Sequence, residues 1–395
     1  MKNKKNLIWI ILFTFMLMVY FEPQMFKENA FDGVETVDFV YKVLKLLSFG
    51  FVSVLYLKEN KFRISNLLLA IGVLQAIMLL STILYKGDIS RFAGPAITTV
   101  TMCMIAELLI KKKLLFQVLE IVNYYFLICF ILNVISIYLI DYTFFCSYTK
   151  VYFLGIDNRF IFTFIPWILF EGLVSLYKKD TIGIRWRIVF CLCELTLIYT
   201  FSASAMLVLF IYALMMFNYN FKIRLDKLIF AGYLGANIAI VIFKIQKIFK
   251  PLIVLIGKDI TFAGRTYLWD GIIKQFPKYP LIGRGMQSVK YDKTFFFNTS
   301  GAYHLECCRV IHAHNSLMTL LYRGGLLSVF IYLGIIYASL KSIYDNYLNK
   351  YAKILLVSLL AILATSIFDT MDFAGLYFII ALIINISLIE VKKNT

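Results

Sequence analysis

All three histidines of the chain, His304, His312 and His314, fall within one stretch of eleven residues. Histidine is the side chain whose ordinary pKa lies nearest neutrality, so it takes up and releases protons at working pH. The grouping reads either as a general base or as a chance clustering with no shared role. His304, Cys307, Cys308, His312 and His314 also supply borderline metal ligands. Adjacent cysteines do not make the usual C-x2-C clip, however, and no second pair accompanies them. Magnesium would want convergent carboxylates. Asp259, Asp270, Asp292 and Glu306 are well separated in the same region. The expectation is therefore metal-free chemistry with no cofactor. A disulfide from Cys146 to Cys307 or Cys308 is compatible with the sequence.

Arginines stand near these histidines in the chain. Residues 264–276 read as a short amphipathic helix with Leu268, Trp269, Ile272, Ile273 and Phe276 on one stripe. Pro277 and Pro280 end it. Gly283-Arg284-Gly285 follows, an ordinary turn or an anion site in which backbone N–H groups and a guanidinium converge. Arg323 sits seven residues into an apolar run. A charge there marks a lined cavity or snorkels to the headgroups. Snorkelling is the expectation for Lys42 and Glu171. Lys45 and Glu194 fit either reading. Glu107 and Lys111 have the spacing of an ordinary i, i+4 helix pair.

The elements that must hold these groups follow from composition. Of 395 residues, 61% are apolar and 16% charged, and the mean hydropathy is +0.81. Soluble chains carry roughly 45–50% apolar and about 25% charged residues. A water-soluble enzyme, a disordered chain and a secreted disulfide scaffold are excluded. The reading is an all-α, polytopic integral membrane protein. The net charge of +17 sits in short clusters between apolar runs, the pattern that orients helices in a bilayer, so nucleic acid is not a partner. Cys103, Cys129, Cys191 and Cys193 fall inside those runs as small hydrophobes.

The apolar runs are 7–21, 37–57, 64–85, 92–110, 117–140, 160–177, 188–217, 225–243, 316–340, 353–369 and 373–390. A spanning helix needs roughly 20 residues, so 188–217 is too long for one. Dividing it at Ser202-Ala203-Ser204 gives twelve spans. Lys2, Lys4 and Lys5 place the N-terminus in the cytoplasm. Phe21-Glu22-Pro23-Gln24 offers no signal cleavage site. With the division, Lys222, Arg224, Lys227, Lys341, Lys350, Lys392 and Lys393 also fall inside, and the short loops follow the positive-inside rule. The chain then divides into helices one to nine over 1–243, a large extracytoplasmic loop over 244–315, and helices ten to twelve with a cytoplasmic C-terminus over 316–395. The loop has eleven Lys or Arg against four Asp or Glu. Loops of this length are usually functional or disordered, and its aromatic content argues for order.

Energetics narrows the reaction. The inside loops are too small for a nucleotide domain, and no phosphate-binding Gly-rich motif precedes a helix there. An extracytoplasmic site sees no ATP, so a bond-forming substrate must carry its own leaving group. A polyprenyl diphosphate does, being anionic at the headgroup and apolar below.

The residues also resemble a family. Gly264-Arg265 with Trp269, Tyr279-Pro280-Leu281-Ile282-Gly283-Arg284-Gly285, His312-Ala313-His314-Asn315-Ser316-Leu317 and Gly324-Gly325 resemble the bacterial O-antigen ligase and O-antigen/capsular polysaccharide polymerase family. Thr200-Phe201-Ser202, opening a helix, and Phe153-Leu154-Gly155-Ile156-Asp157-Asn158 resemble it too. The match is best over about 200–335. The resemblance implies a GT-C-like enzyme of the bacterial cytoplasmic membrane that performs inverting, metal-independent glycosyl transfer on its outer face. The donor is a polyprenyl-diphosphate-linked oligosaccharide. A flippase and a chain-length regulator of the same pathway are the implied partners. By the same analogy His314 deprotonates the acceptor hydroxyl and Arg265 holds the diphosphate. The substrate-binding set expected around them is Arg284, Arg323, Asn315, Arg159, His312 and Ser202. Asn315 either orients His314 or a sugar, or caps the helix near Ser316. The family usually has an Arg after the serine where this chain has Ala203, and Arg159 is the candidate substitute. A composition rich in Ile, Lys, Asn, Phe and Tyr favours a Gram-positive capsule polymerase over a ligase. The alternative of another class is a flippase. A reporter fused within the histidine-bearing stretch, 304–314, is expected to report an extracytoplasmic location; a cytosolic signal would overturn the topology.

Overall fold

The computed structural model describes residues 2–27, 34–139, 150–218, 225–248, 250–251, 260–262, 264–300, 312–370 and 373–389. His304, Cys146, Cys307, Cys308, Asp259, Glu306, Lys222, Arg224, Lys392 and Lys393 lie outside the described residues, and so do the disulfide and most of the zinc ligand set. The described elements are helical, apart from one bridge between Tyr152 and Gly155.

Each apolar run folds as a helix, because in hydrocarbon a chain must satisfy its backbone internally. In chain order these are α1 (Lys2–Tyr20), α2 (Val34–Glu59), α3 (Asn66–Leu84), α4 (Ile89–Lys111), α5 (Leu115–Leu139), α6 (Ile161–Lys179), α7 (Ile184–Tyr199), α8 (Ala203–Asn218) and α9 (Asp226–Asn237). A π turn, Ile238–Ile242, continues α9. Two helices, α10 (Arg265–Gln275) and α11 (Val289–Ser300), form in the long loop. The last three are α12 (Ser316–Asp345), α13 (Ala352–Phe368) and α14 (Ala374–Ile384). Six helical stretches are long and apolar enough to cross a membrane: Val34–Glu59, Asn66–Leu84, Ile89–Lys111, Leu115–Tyr138, Asp157–Lys179 and Ser316–Asp345. The other runs are helical but shorter. The protein is thus an all-helical integral membrane protein. The run 188–217 divides at Thr200–Ser202, where Phe201 takes a left-handed backbone (φ 55) and α8 turns back to pack on α7.

The bundle has an inside and a lipid-facing outside. Its core is centred on α6, α13 and α14, with Trp167 and Phe170 buried. Phe39, Leu46, Leu47 and Val54 of α2 are exposed, as an apolar face toward lipid requires. The charges within the spans are mostly paired. Lys42 meets Asp38 at 2.5 Å, and Lys45 pairs with the buried Glu22. Glu171 does not snorkel: it is buried in α6 and meets Arg185 Nε at 3.0 Å. Nor do Glu107 and Lys111 pair. Glu107 accepts from Tyr56 (2.5 Å) and Ser65 (2.7 Å), while Lys111 donates to the Glu59 carbonyl and Asn60.

The long loop is joined to the bundle through a broken helix. At Gly325 (φ 63, ψ −165) α12 leaves the helical conformation. The break frees two carbonyls before it and two N–H groups after it, and residues 280–285 take up all four. Arg284 N donates to Tyr322 O (2.7 Å) and Gly285 N to Arg323 O (2.8 Å). Leu326 N donates to Pro280 O (2.9 Å) and Leu327 N to Leu281 O (3.1 Å). Left unpaired in lipid, each group would cost several kcal/mol. The approach is close enough to require glycine. A Cβ on Gly283 would stand 2.5 Å from Gly325 N, and Gly283 itself has φ +66. Met286 then reaches α3 and the start of α4. Its N–H donates to Thr82 Oγ1 (2.9 Å), and its carbonyl accepts from Asp88 N (2.7 Å).

Gly283→Ala is expected to destabilise the detergent-solubilised protein by at least about 1 kcal/mol from the left-handed backbone alone. This should appear as a lower melting midpoint. Gly50→Ala, where a Cβ meets nothing within 4 Å, should leave the midpoint unchanged.

Candidate active site

The stretch before α12 carries His312 and His314, and its geometry is set from three sides. Asn315 caps α12: its Oδ1 accepts from Met318 N at 2.9 Å. Its Nδ2 donates to Asn237 Oδ1 (2.9 Å) at the end of α9 and to Ile367 O (3.0 Å) at the end of α13. Trp269 of α10 is fully buried, and its Nε1 donates to Ala313 O at 2.8 Å. Between these anchors His314 takes a left-handed backbone (φ 47). That conformation costs roughly 1–2 kcal/mol for a residue with a Cβ and persists where its surroundings fix it.

α10 itself starts at Gly264, whose φ of 83 turns the chain into the helix and presents Arg265 at its first position. Leu268, Trp269 and Ile272 bury into a small core with Val241, Phe295, Phe296, Ala313, Met318 and Tyr322, separate from that of the bundle. The buried stripe is narrower than the sequence pattern, since Ile273 is exposed. Arg265 donates from Nη1 to the Phe368 carbonyl at the C-terminus of α13, a favourable place for a cation.

The partner of His314 is Asp369, the residue after α13. His314 Nδ1 lies 3.2 Å from Asp369 Oδ1. A carboxylate accepts, so Nδ1 carries the proton and Nε2 keeps its lone pair. The His312 ring packs edge-on against that of His314, with centroids 4.3 Å apart. His312 Nδ1 faces the His314 N–H (3.4 Å) and the Thr370 hydroxyl (3.4 Å). Burial pushes both histidines below the usual imidazole value. For His314, Asp369 opposes that shift, while Arg265 and Arg159 add to it. Burial alone would raise Asp369, but the hydrogen bond with His314, the attraction of the two imidazoles when protonated, and Arg265 hold it well below the usual carboxylate range. The result is a neutral imidazole beside a carboxylate anion. In such a pair Nε2 accepts a proton and the anion stabilises the imidazolium that forms.

Three arginines act electrostatically on the two histidines and Asp369: Arg159 and Arg265 on His314 and Asp369, and Arg159 and Arg323 on His312. Burial lowers Arg265 from the usual arginine value, with Asp369 opposing. His312, His314 and Asp369 have ligand atoms within 4.8 Å of one another and could hold a metal ion. Three cations against one carboxylate make the place unfavourable for a divalent cation and favourable for an anion.

Of the expected site residues, His314, His312, Arg265, Arg159 and Arg323 come together. Three others do not reach into the site. Ser202 is buried and donates to Asn158 Oδ1 at 2.9 Å, bracing the turn that carries Arg159. Asn315 has no exposed surface and its amide is engaged with the scaffold, so it holds the segment that carries His314. Arg284 lies apart, its guanidinium over the rings of Tyr279 (4.9 Å) and Tyr291 (4.6 Å). Of the two readings of Gly283-Arg284-Gly285, the anion nest does not form, because its N–H groups are donated to the carbonyls of Tyr279, Tyr322 and Arg323. Asp369 is a site residue that the sequence pattern does not single out. Its one signal is an acid closing an apolar run.

Residues 188–333 match the O-antigen ligase family. That stretch, less than half of the chain, is similar to the family. It contains α10, Arg265, the histidine segment, Arg323 and the helix break, whereas Arg159 and Asp369 lie beyond it. No curated protein and no solved structure matches the chain.

The neutral fraction of His314, read by its rate of modification with diethyl pyrocarbonate, should be half-maximal below the ordinary histidine pKa of about 6.5. Asp369→Asn removes the group that raises His314 and should move the midpoint lower. Arg265→Gln removes a cation that lowers it and should move the midpoint higher. Shifts of the opposite sign would refute the arrangement.

Proposed function

We propose that the protein is a polysaccharide polymerase that joins polyprenyl-diphosphate-linked oligosaccharide units on the outer face of the bacterial cytoplasmic membrane. The observation that carries the reading is the His314–Asp369 pair set among Arg159 and Arg265 at one end of a lipid-embedded bundle. It rests also on the family match, whose members transfer glycans.

The step follows from the charges. The acceptor sugar hydroxyl gives its proton to His314 Nε2 as its oxygen attacks the donor's anomeric carbon. The new glycosidic C–O bond forms on the face opposite the diphosphate, so the configuration inverts. The bond between the anomeric carbon and the diphosphate oxygen breaks, and both its electrons leave with the polyprenyl diphosphate. Arg265 and Arg159 balance the charge that develops there. Asp369 orients the imidazole and stabilises it once protonated. Preorganised cations of this kind usually lower the barrier more than any other single effect in such chemistry, and positioned proton transfer adds about 10²–10⁴-fold. No metal enters the step.

A second reading is an O-antigen ligase, which transfers the glycan to a lipid acceptor other than the repeat unit. The family match is equally compatible with it, and the same residues would perform it. A flippase has no support in the family match. The pathway's flippase and chain-length regulator remain proposed partners.

The test is chain growth by purified protein on lipid-linked repeat units. His314→Ala and Arg265→Ala should each lower it by at least about 100-fold. EDTA should have no effect. Products attached only to a non-repeat lipid acceptor would establish the ligase. Lipid scrambling without new glycosidic bonds would overturn both readings.

A further inference from the structure

Three tyrosines and an arginine meet beside residues 280–285. Tyr85 follows α3, Tyr279 follows α10, and Tyr291 lies in α11. Tyr85 is exposed and the other two are half-buried. The rings of Tyr85 and Tyr279 pack edge to face, with centroids 4.8 Å apart. The Arg284 guanidinium lies over both Tyr279 (4.9 Å) and Tyr291 (4.6 Å). Its backbone is fixed from either side. Gly283 and Gly285 are left-handed (φ 66 and 74), Arg284 N donates to Tyr322 O at 2.7 Å, and Arg284 O accepts from Gln287 Nε2 at 2.5 Å. Arg284 Nε is buried and has no hydrogen-bond partner among the described residues. Buried donors normally have one, so this one calls for an acceptor from outside the chain.

The surroundings are cationic. Over 85–91 and 278–293 there are six Lys or Arg against two Asp. Lys86, Lys278, Lys290 and Lys293 are exposed. Both carboxylates are taken up within the protein. Asp88 accepts from Ser90 Oγ (2.7 Å) and Arg91 N (3.0 Å), and the buried Asp292 meets Arg91 (2.5 Å) and Tyr322 (2.9 Å).

We infer that this platform binds an acidic saccharide, a part of the glycan away from the bond being made, with a sugar ring on the tyrosines and its carboxylate on Arg284. The inference rests on the transferase reading above and gives the glycan a second place of attachment. The C–H face of a sugar ring is apolar, and its hydrogens complement the electron-rich face of a tyrosine. A guanidinium takes a carboxylate through two parallel N–H···O bonds, and one stacked on aromatic rings is already oriented for them. An arginine that snorkels to headgroups extends its stem freely. Arg284 is instead pinned at its backbone and laid on rings from two separate elements. The platform is joined to the catalytic pair through α12. Tyr322, which accepts the Arg284 N–H, precedes Arg323, and Arg323 acts electrostatically on both Asp292 and His312. A chain held at both places keeps its reacting end at a high effective concentration beside His314.

The test uses the full chain in phosphatidylcholine nanodiscs, with fluorescent hexagalacturonate and its carboxyl-reduced, neutral form as probes. The neutral form should bind about tenfold more weakly or worse, as loss of charge-assisted hydrogen bonds implies. Arg284→Gln should weaken hexagalacturonate binding by about the same factor. Tyr279→Leu combined with Tyr291→Leu should also weaken it, whereas the corresponding Phe pair should keep most of it. Melting midpoints check that the variants fold, and Arg284→Gln with the Phe pair keeps the test in force if the Leu pair does not. Chain-growth products of the Arg284→Gln protein should be shorter. Equal binding of the two probes, indifference to Arg284→Gln, or displacement of hexagalacturonate by dihexanoyl phosphatidylglycerol would overturn the inference, the last by marking a headgroup anchor. His314-dependent chain growth that persists alongside such a result would leave the transferase reading standing. Chain growth unaffected by His314→Ala would sink that reading, whatever hexagalacturonate does.

Discussion

Four backbone groups at the Gly325 break would be unpaired in hydrocarbon without residues 280–285. Each such group costs several kcal/mol, so the loop cannot leave without disrupting the membrane helix it repairs. This fixes the register between the long loop and the bundle. From the same stretch Met286 is tied to Thr82 and Asp88, which brings in α3 and α4. α11 is held by Asp292, clasped between Arg91 of α4 and Tyr322 of α12. What the sequence presents as a loop of 72 residues therefore contains a small second core whose position is set by the bundle.

The histidine segment inherits that rigidity. Asn315 links the start of α12 to the ends of α9 and α13, and Trp269 holds the carbonyl just before His314. A left-handed histidine is tolerable only when both flanks are fixed, and here both are. The same anchors place Asp369, because Ile367 O and Phe368 O are bound by Asn315 and Arg265. Arg265 thus has two effects. It holds the carboxylate's helix end in place, and its charge adds to the burial that lowers His314 and to the His314 hydrogen bond that lowers Asp369.

Much of this was legible in the sequence, and what was not has physical causes. The apolar runs mark helices because lipid leaves a chain few other choices, and the division of 188–217 followed from length. The pairing of His314 with a base-orienting acid was hidden. Asp369 is 55 residues away and looks like the polar end of a span; only the packing of α13 beside α12 brings them together. The glycines around Arg284 fitted two readings for a related reason. Glycine that admits an anion and glycine that admits another backbone look alike, and here the other backbone is α12, some forty residues on. Glu171 read as snorkelling because its partner, Arg185, belongs to the next helix. In each case a local pattern gave the residue's need and a distant segment supplied the partner.

Irregular backbone at membrane depth survives only where protein or a cavity surrounds it. Both conditions meet at Gly325: one side of the break is covered by residues 280–285, and the Arg323 side lines a cleft between α3, α4, α12 and α14. A continuous helix would satisfy its own backbone and need no loop. It would also present a closed cylinder where Arg323, Ser316 and Thr319 now face a slot beside the histidines. The interruption couples two properties that are separable in principle, attachment of the loop and the shape of the cleft wall. The element that borders the slot also carries, at its capped start, the histidine segment beside it.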